Sequence, residues 1–140
     1  MALLSSNCSD TRLKKELTFA QPIRRGKSKG AKLVQELLRI NGINVLIDSD
    51  YGDATAEGVA EFEKQTTPVD SVDQALIDRL AQPLLRAAAP LAPKATLADT
   101  VVAVARQHLA EHPVEVGGDN SGPWVRFYMD GGEGKPFLWC

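Results

Sequence analysis

Cysteine is scarce in this sequence: Cys8 and Cys140 are the only two among 140 residues. Two cysteines imply no disulfide framework of the kind that staples small secreted domains. Long apolar runs are missing as well. No window approaches the roughly 18 uninterrupted apolar residues of a membrane span, so membrane insertion is not expected. The first twenty residues lack the basic start, apolar middle and small-residue cleavage site of a secretory signal. The chain is therefore expected to be made in the cytoplasm, reaching any outside target by release or export. "SSNC", ending at Cys8, is only superficially like a lipidation site, because no charged segment and long apolar run precede it.

A strong charge of one sign is also absent, the formal net charge being −2. Half of the 16 basic residues do stand near the amino end: Arg12, Lys14, Lys15, Arg24, Arg25, Lys27, Lys29 and Lys32. Phe19 is the one aromatic among them, so the stretch cannot stack on bases and reads as a solvated face. Nucleic acid is not expected as a partner. What remains is 44% apolar and 24% charged, the balance of a soluble globular protein. Its length holds one ordinary domain, or one small domain with part of another, and a monomer is expected.

Residues 1–18 are polar without a sustained apolar period and read as a loose arm, with one helical turn at 13–17. Leu33, Leu37 and Ile40 then fall at helical spacing, widened by Val34 and Leu38, and the run stops at Asn41-Gly42. "INVLID" (43–48) is an apolar extended segment leading into the turn "SDYGD". A second helix begins near Asp53 or Ala54 and carries Val59 and Phe62. A third, over 72–81, sets Leu76, Ile77 and Leu80 on one face. Three short helices can bury one small core. From Pro83 the composition turns to Ala, Pro and Leu, and a linker is expected over 84–95. "TLAD" matches a capping box, with Thr96 and Asp99 opening a helix that runs to about His112, ahead of Pro113. The turn-rich "VGGDNSGP" and "GGEGKP" flank an extended segment at 124–129. That carboxyl-terminal part is expected to pack poorly, with proteolysis cutting first near Gly131 to Gly134.

"DSDYGDATAEGVAEFE" (48–63) resembles the signature of the bacterial peptidoglycan-binding domain, through Asp48, Tyr51, Gly52, Thr55, Val59 and Phe62 at matching spacings. Ser49 stands where Gly is usual, Gly58 where Ala is usual, and Glu63 where Gln is usual. Val34-Gln35 and Leu38 look like the family's first helix, and "VDSVDQALIDRL" like its closing one. The resemblance covers about residues 19–83. It implies a three-helix module that holds proteins to bacterial peptidoglycan through its glycan or stem-peptide parts. The stretch 105–140 resembles the opening of CHAP-like cysteine amidohydrolase and endopeptidase domains, through Asn120, Gly122, Pro123, Val125, Tyr128 and Trp139-Cys140. Here Phe137 and Leu138 separate Pro136 from Trp139, a departure from the family pattern. The resemblance implies that Cys140 is a nucleophile within a papain-like α+β domain, of which residues 96–140 are the first part.

The expected fold is thus mainly α: a small three-helix peptidoglycan-binding-like bundle at 19–83, a linker at 84–95, and a partial α+β segment at 96–140. A thiol needs a nearby imidazole, helix amino terminus or cation to become a useful thiolate. In the family these come from a helix after the cysteine and a His farther downstream, both absent from this chain, so it is expected to be inactive as a hydrolase. Three functions are open: peptidoglycan binding as the targeting part of a phage-lysin or autolysin type hydrolase, cysteine-dependent cleavage by Cys140 in a longer natural chain, and a protein-interaction module without wall affinity.

"HLAEH" (108–112) fits a zinc peptidase pattern with His108 and His112 on one helical face. A third ligand and a continuing helix are wanting, so the two His read as surface residues. "DSDYGD" begins like a calcium loop but has Gly52, Asp53 and Val59 where the loop requires other residues. No metal or cofactor is expected. The candidate ligand-binding residues are Asp48, Asp50, Tyr51 and Thr55, beside the end of the first helix. Tyr51 has two readings: stacking on a sugar ring, or plugging the core, the commoner fate at that spacing.

Overall fold

A computed structural model describes residues 1–139 of the chain. The fold is mainly α. In chain order it comprises a 3-10 turn (Ser5–Asn7), α1 (Thr11–Leu17), β1 (Ile23–Arg24), β2 (Gly26–Lys27), α2 (Lys29–Ile40), β3 (Asp50–Tyr51), α3 (Asp53–Glu63), β4 (Ser71–Val72), α4 (Gln74–Leu80), α5 (Gln82–Ala87), α6 (Leu97–Ala110) and α7 (Pro123–Tyr128). The strands form two antiparallel pairs, β1 with β4 (Ile23 opposite Val72) and β2 with β3 (Gly26 opposite Tyr51).

The central helix is α2. Ser28 caps it by accepting from the Ala31 N–H, and Leu33, Val34, Leu37 and Leu38 are all buried along it. At its far end the Asn41 side-chain amide donates to the carbonyls of Leu37 and Leu80, tying the last turn of α2 to α4. The segment 43–48 joins no strand ladder; Ile43 and Val45 are buried, Asn44 and Leu46 exposed. Val45 presses on α3 at Gly58, where an added Cβ would lie 2.7 Å from Val45 Cγ1. That close approach accounts for glycine at a position where the resembled family carries alanine.

Three expectations are corrected. The amino-terminal arm is not loose. Asp10 accepts from the N–H groups of Arg12 and Leu13, capping α1, whose Leu13 and Leu17 are buried in the main core. Ahead of it, buried Ser5 donates its hydroxyl to Asp78, and Gln74 donates to Ser5 Oγ, the Leu17 carbonyl and Asp78. The linker is also shorter than 84–95. Pro83, where the composition turns, occupies the first turn of α5, where a missing N–H costs nothing, and Leu84, Leu85 and Ala87 behind it are buried. Finally, residues 123–128 are helical rather than extended. Trp124, Val125, Phe127 and Tyr128 have strong β propensity, but Pro123 starts a helix at the first position, and packing against α2 overrides propensity. Trp124 joins the same buried cluster as Leu13, Leu37 and Leu80, and its buried indole N–H has no partner among the described residues.

The expected poor packing of the carboxyl-terminal part is therefore divided. Helix α6 has no buried residue, whereas α7 is anchored in the core. A cluster of charges completes the anchor. Arg126 reaches Glu16 of α1, Glu36 of α2 and Glu133, each at 2.6 Å, and Lys32 reaches Glu133 at 2.8 Å.

Candidate functional site

Of the four candidate ligand-binding residues, Asp48, Asp50 and Tyr51 lie between α2 and α3 and Thr55 in the first turn of α3, and a buried side chain of α2 organises them. Gln35 Nε2 donates to Asp48 Oδ1 (2.8 Å), the Asp50 carbonyl (3.0 Å) and Thr55 Oγ1 (3.0 Å). Its Oε1 accepts from the N–H groups of Asp48 (3.1 Å) and Ser49 (3.0 Å). One amide thus fixes both sides of the turn, satisfying backbone groups that the absence of a ladder leaves open. Ser49 adopts φ 66°, the left-handed region, which is where the resembled family usually has glycine.

The four candidates divide into two kinds. Asp48 is exposed and Asp50 half-buried. The Asp50 N–H, then the Gln35 amide, hold the Asp48 carboxyl below its usual range by bonding its charged form. Tyr51 and Thr55, in contrast, are buried. The Tyr51 hydroxyl donates to the Val69 carbonyl at 2.6 Å, and burial pushes its pKa up to about 12. Neither side chain can meet a ligand, so Tyr51 plugs the core and stacks on no sugar. Around the surviving pair the surface is polar and charged: Lys27 lies opposite Asp50 across the strand pair, and Arg25 pairs with Asp53 and Asp70.

Comparison with protein-family models, curated proteins and solved structures gives no match.

The second group of candidates meets around α7 and the segment after it. Gly122 has φ 107° and leaves room for no side chain, since a Cβ would lie 2.7 Å from Val116 Cγ2. Its N–H donates to Glu133 Oε2 at 3.1 Å. Burial opposes charge on Glu133, but the Lys32 bond, the Gly122 N–H and Arg126 outweigh it and bring its pKa from 4.5 down to about 2. Asn120 Oδ1 accepts from the Trp139 N–H at 3.0 Å, and the Trp139 ring stacks on Tyr128 with centroids 5.3 Å apart. The Tyr128 hydroxyl is 2.6 Å from His108 Nδ1, and the His108 ring lies parallel to Phe127 at 5.6 Å. Burial lowers the His108 pKa. Cys140, the candidate nucleophile, lies outside the described residues.

Sequence spacing missed His108 as a member of this group, because α6 and α7 are brought together only by the folded chain. His108 and Phe127 also line a cleft of about 420 Å³ shared with Ser9, Asp10, Ala88 and Leu91. "HLAEH" does not act as a unit: α6 ends at Ala110, and His112 is exposed at φ 52°. Among the described residues no three His, Cys, Asp or Glu side chains are grouped to hold a metal ion. Cys8 is half-buried, and burial foremost raises its pKa, keeping it a thiol.

Proposed function

We propose that this chain binds bacterial peptidoglycan non-covalently, as the targeting part of a wall hydrolase of the phage-lysin or autolysin type. In this reading α2, α3 and α4 are the three-helix wall-binding module, and residues 96–140 are the start of a papain-like, CHAP-like domain. One observation carries it. The residues of the wall-binding resemblance serve a single Gln35-held turn, with Tyr51 and Thr55 as its buried pegs and the Asp48–Asp50 edge left at the surface. A polar edge with the Asp48 carboxylate held in place suits a ligand rich in hydroxyl and amide donors, as glycan and stem peptide are. The protein would act at the wall after release or export.

Co-sedimentation with purified sacculi tests this. The chain is expected in the pellet, and the variant Asp48→Asn/Asp50→Asn, which keeps the hydrogen-bonding oxygens but loses the charge, is expected to pellet less. Wild type remaining in the supernatant at every sacculus load would sink the proposal and favour a protein-interaction module.

A second reading is favoured by the grouping of Asn120, Tyr128, Trp139 and His108. In it the segment opens a cysteine amidase or endopeptidase domain with Cys140 as nucleophile in a longer natural chain. The 140-residue chain itself is expected to leave sacculus turbidity unchanged. Clearing that Cys140→Ser abolishes would show instead that the chain is already an enzyme.

A further inference from the structure

Helix α6 is the anomaly of the molecule: 14 residues with none buried. Its apolar side chains face water, Leu97 at 80%, Val101 at 59%, Val102 at 48% and Leu109 at 70% exposure. A contiguous exposed apolar surface of this kind marks an interaction site. The helix is nonetheless fixed to the body. Gln107 Nε2 donates to the carbonyls of Arg86 and Ala87 at the end of α5 and of Ala89 just past it, and Arg86 grips Glu111 through two bonds of 2.7 and 2.6 Å. At 3.6 residues per turn, the side turned to α5 carries positions 103, 107 and 111. The side diametrically opposite carries Ala98, Val102, Ala105 and Leu109, spaced 4, 3, 4 as in a helix–helix seam.

That stripe is complementary to itself when reversed. With two copies antiparallel and the midpoint between positions 103 and 104, Ala98 of one copy faces Leu109 of the other, and Val102 faces Ala105. Each large side chain meets a small one, the arrangement that lets helices approach closely. The charges agree. Asp99 and Arg106 are both exposed on the same flank of the stripe. In the reversed pair, Asp99 of each copy comes within two residues, about 3 Å along the axis, of Arg106 of the other. Two cross-copy ion pairs of opposite sign result, while within one copy the two residues stand about 10 Å apart.

We propose that two copies of this chain associate antiparallel through the outer face of α6. A helix about 21 Å long covers less surface than the roughly 1,200–2,000 Å² of stable interfaces, so the dimer forms and dissociates with concentration. The proposal stands independently of wall binding. Paired modules on a wall would gain avidity from it.

Sedimentation velocity on the full chain, from low micromolar to submillimolar, tests the pairing. The expected result is a reversible monomer–dimer equilibrium that Val102→Glu abolishes at unchanged far-UV helicity, since Val102 is exposed within one copy. Asp99→Arg and Arg106→Asp are each expected to weaken the dimer about tenfold by placing like charges together. An equimolar mixture of those two variants is expected to form a heterodimer, because each faulty copy then meets its opposite. Loss of the Asp99 cap cannot produce that recovery, as the same chains are present before and after mixing. A chain that stays monomeric throughout, even one that binds another protein or a vesicle, overturns the proposal. So does a dimer that Val102→Glu leaves intact, or variants that fail to recover on mixing.

Discussion

At the residue scale the chain repeatedly uses one polar side chain to settle a piece of irregular backbone. Gln35 does so for the α2–α3 turn, and the strain it holds in place is local: Ser49 at φ 66°. Ser49→Gly removes the steric cost of that conformation, roughly 1 kcal/mol, against a smaller gain in unfolded-chain freedom. The expected outcome is a urea midpoint raised by the equivalent of up to about 0.5 kcal/mol, whereas Ser49→Val should lower it. Glu133 gives a pH dependence of definite sign. Its pKa falls from 4.5 to about 2 on folding, so its contribution to stability is fully present above pH 4.5 and is lost as pH drops toward 2. Asp48 adds to the same trend, since its pKa is also lowered. Denaturant midpoints measured across that window should fall for wild type and fall less steeply for Glu133→Gln.

At the element scale, helices differ in what holds them. Helix α2 is held by its buried stripe, and that stripe was legible from Leu33, Leu37 and their neighbours because burial and the 3.6-residue period coincide. Helix α6 was legible from its Thr96–Asp99 cap, of which one half forms as read: Thr96 Oγ1 accepts from the Asp99 N–H, while the Asp99 carboxylate takes the Thr96 hydroxyl and not the Thr96 N–H. What holds α6 to the body, Gln107 on the carbonyls that end α5, left no mark in the sequence. Limited proteolysis should therefore cut first in the exposed stretch 90–96, not near Gly131–Gly134. There the Gly131 N–H donates to the Arg126 carbonyl, the Gly134 N–H to the Asn120 carbonyl, and Glu133 is ion-paired. Gln107→Ala should speed the cut in 90–96 and leave the sites in 131–134 unchanged.

At the scale of the whole molecule, the carboxyl-terminal segment and the helical module share one core. Trp124 is the apolar link and Arg126 the charged one. Burial would lower the Arg126 pKa, but bonds to Glu36 and Glu16 reverse this and keep it charged. Removing one partner from such a cluster leaves charge uncompensated inside the protein, and Glu36 is only 1% exposed. Arg126→Met is expected to cost about 3 kcal/mol, read from guanidinium unfolding. Wild type should unfold in a single transition followed alike by tryptophan fluorescence and far-UV circular dichroism. Separate transitions for the two probes would show instead that 96–139 folds independently of the helical module.

Local periodicity and capping determined α2, α3, α4 and α6, since those signals act within a few residues and need no distant partner. Tertiary packing decided the rest. Thr11–Leu17 reads as a polar arm because only Leu13 and Leu17 turn inward, and it docks as a helix once the core receives those two side chains and Gln74 of α4 its Leu17 carbonyl. Residues 124–128 have the composition of a strand, and become α7 because the core around α2 offers a place for Trp124. Tyr51 is the sharpest case: its spacing fits both a sugar platform and a core plug, and the Val69 carbonyl that decides between them lies 18 residues away. Contacts between distant residues cost loop-closure entropy and are made only where the whole core forms, so no local pattern encodes them.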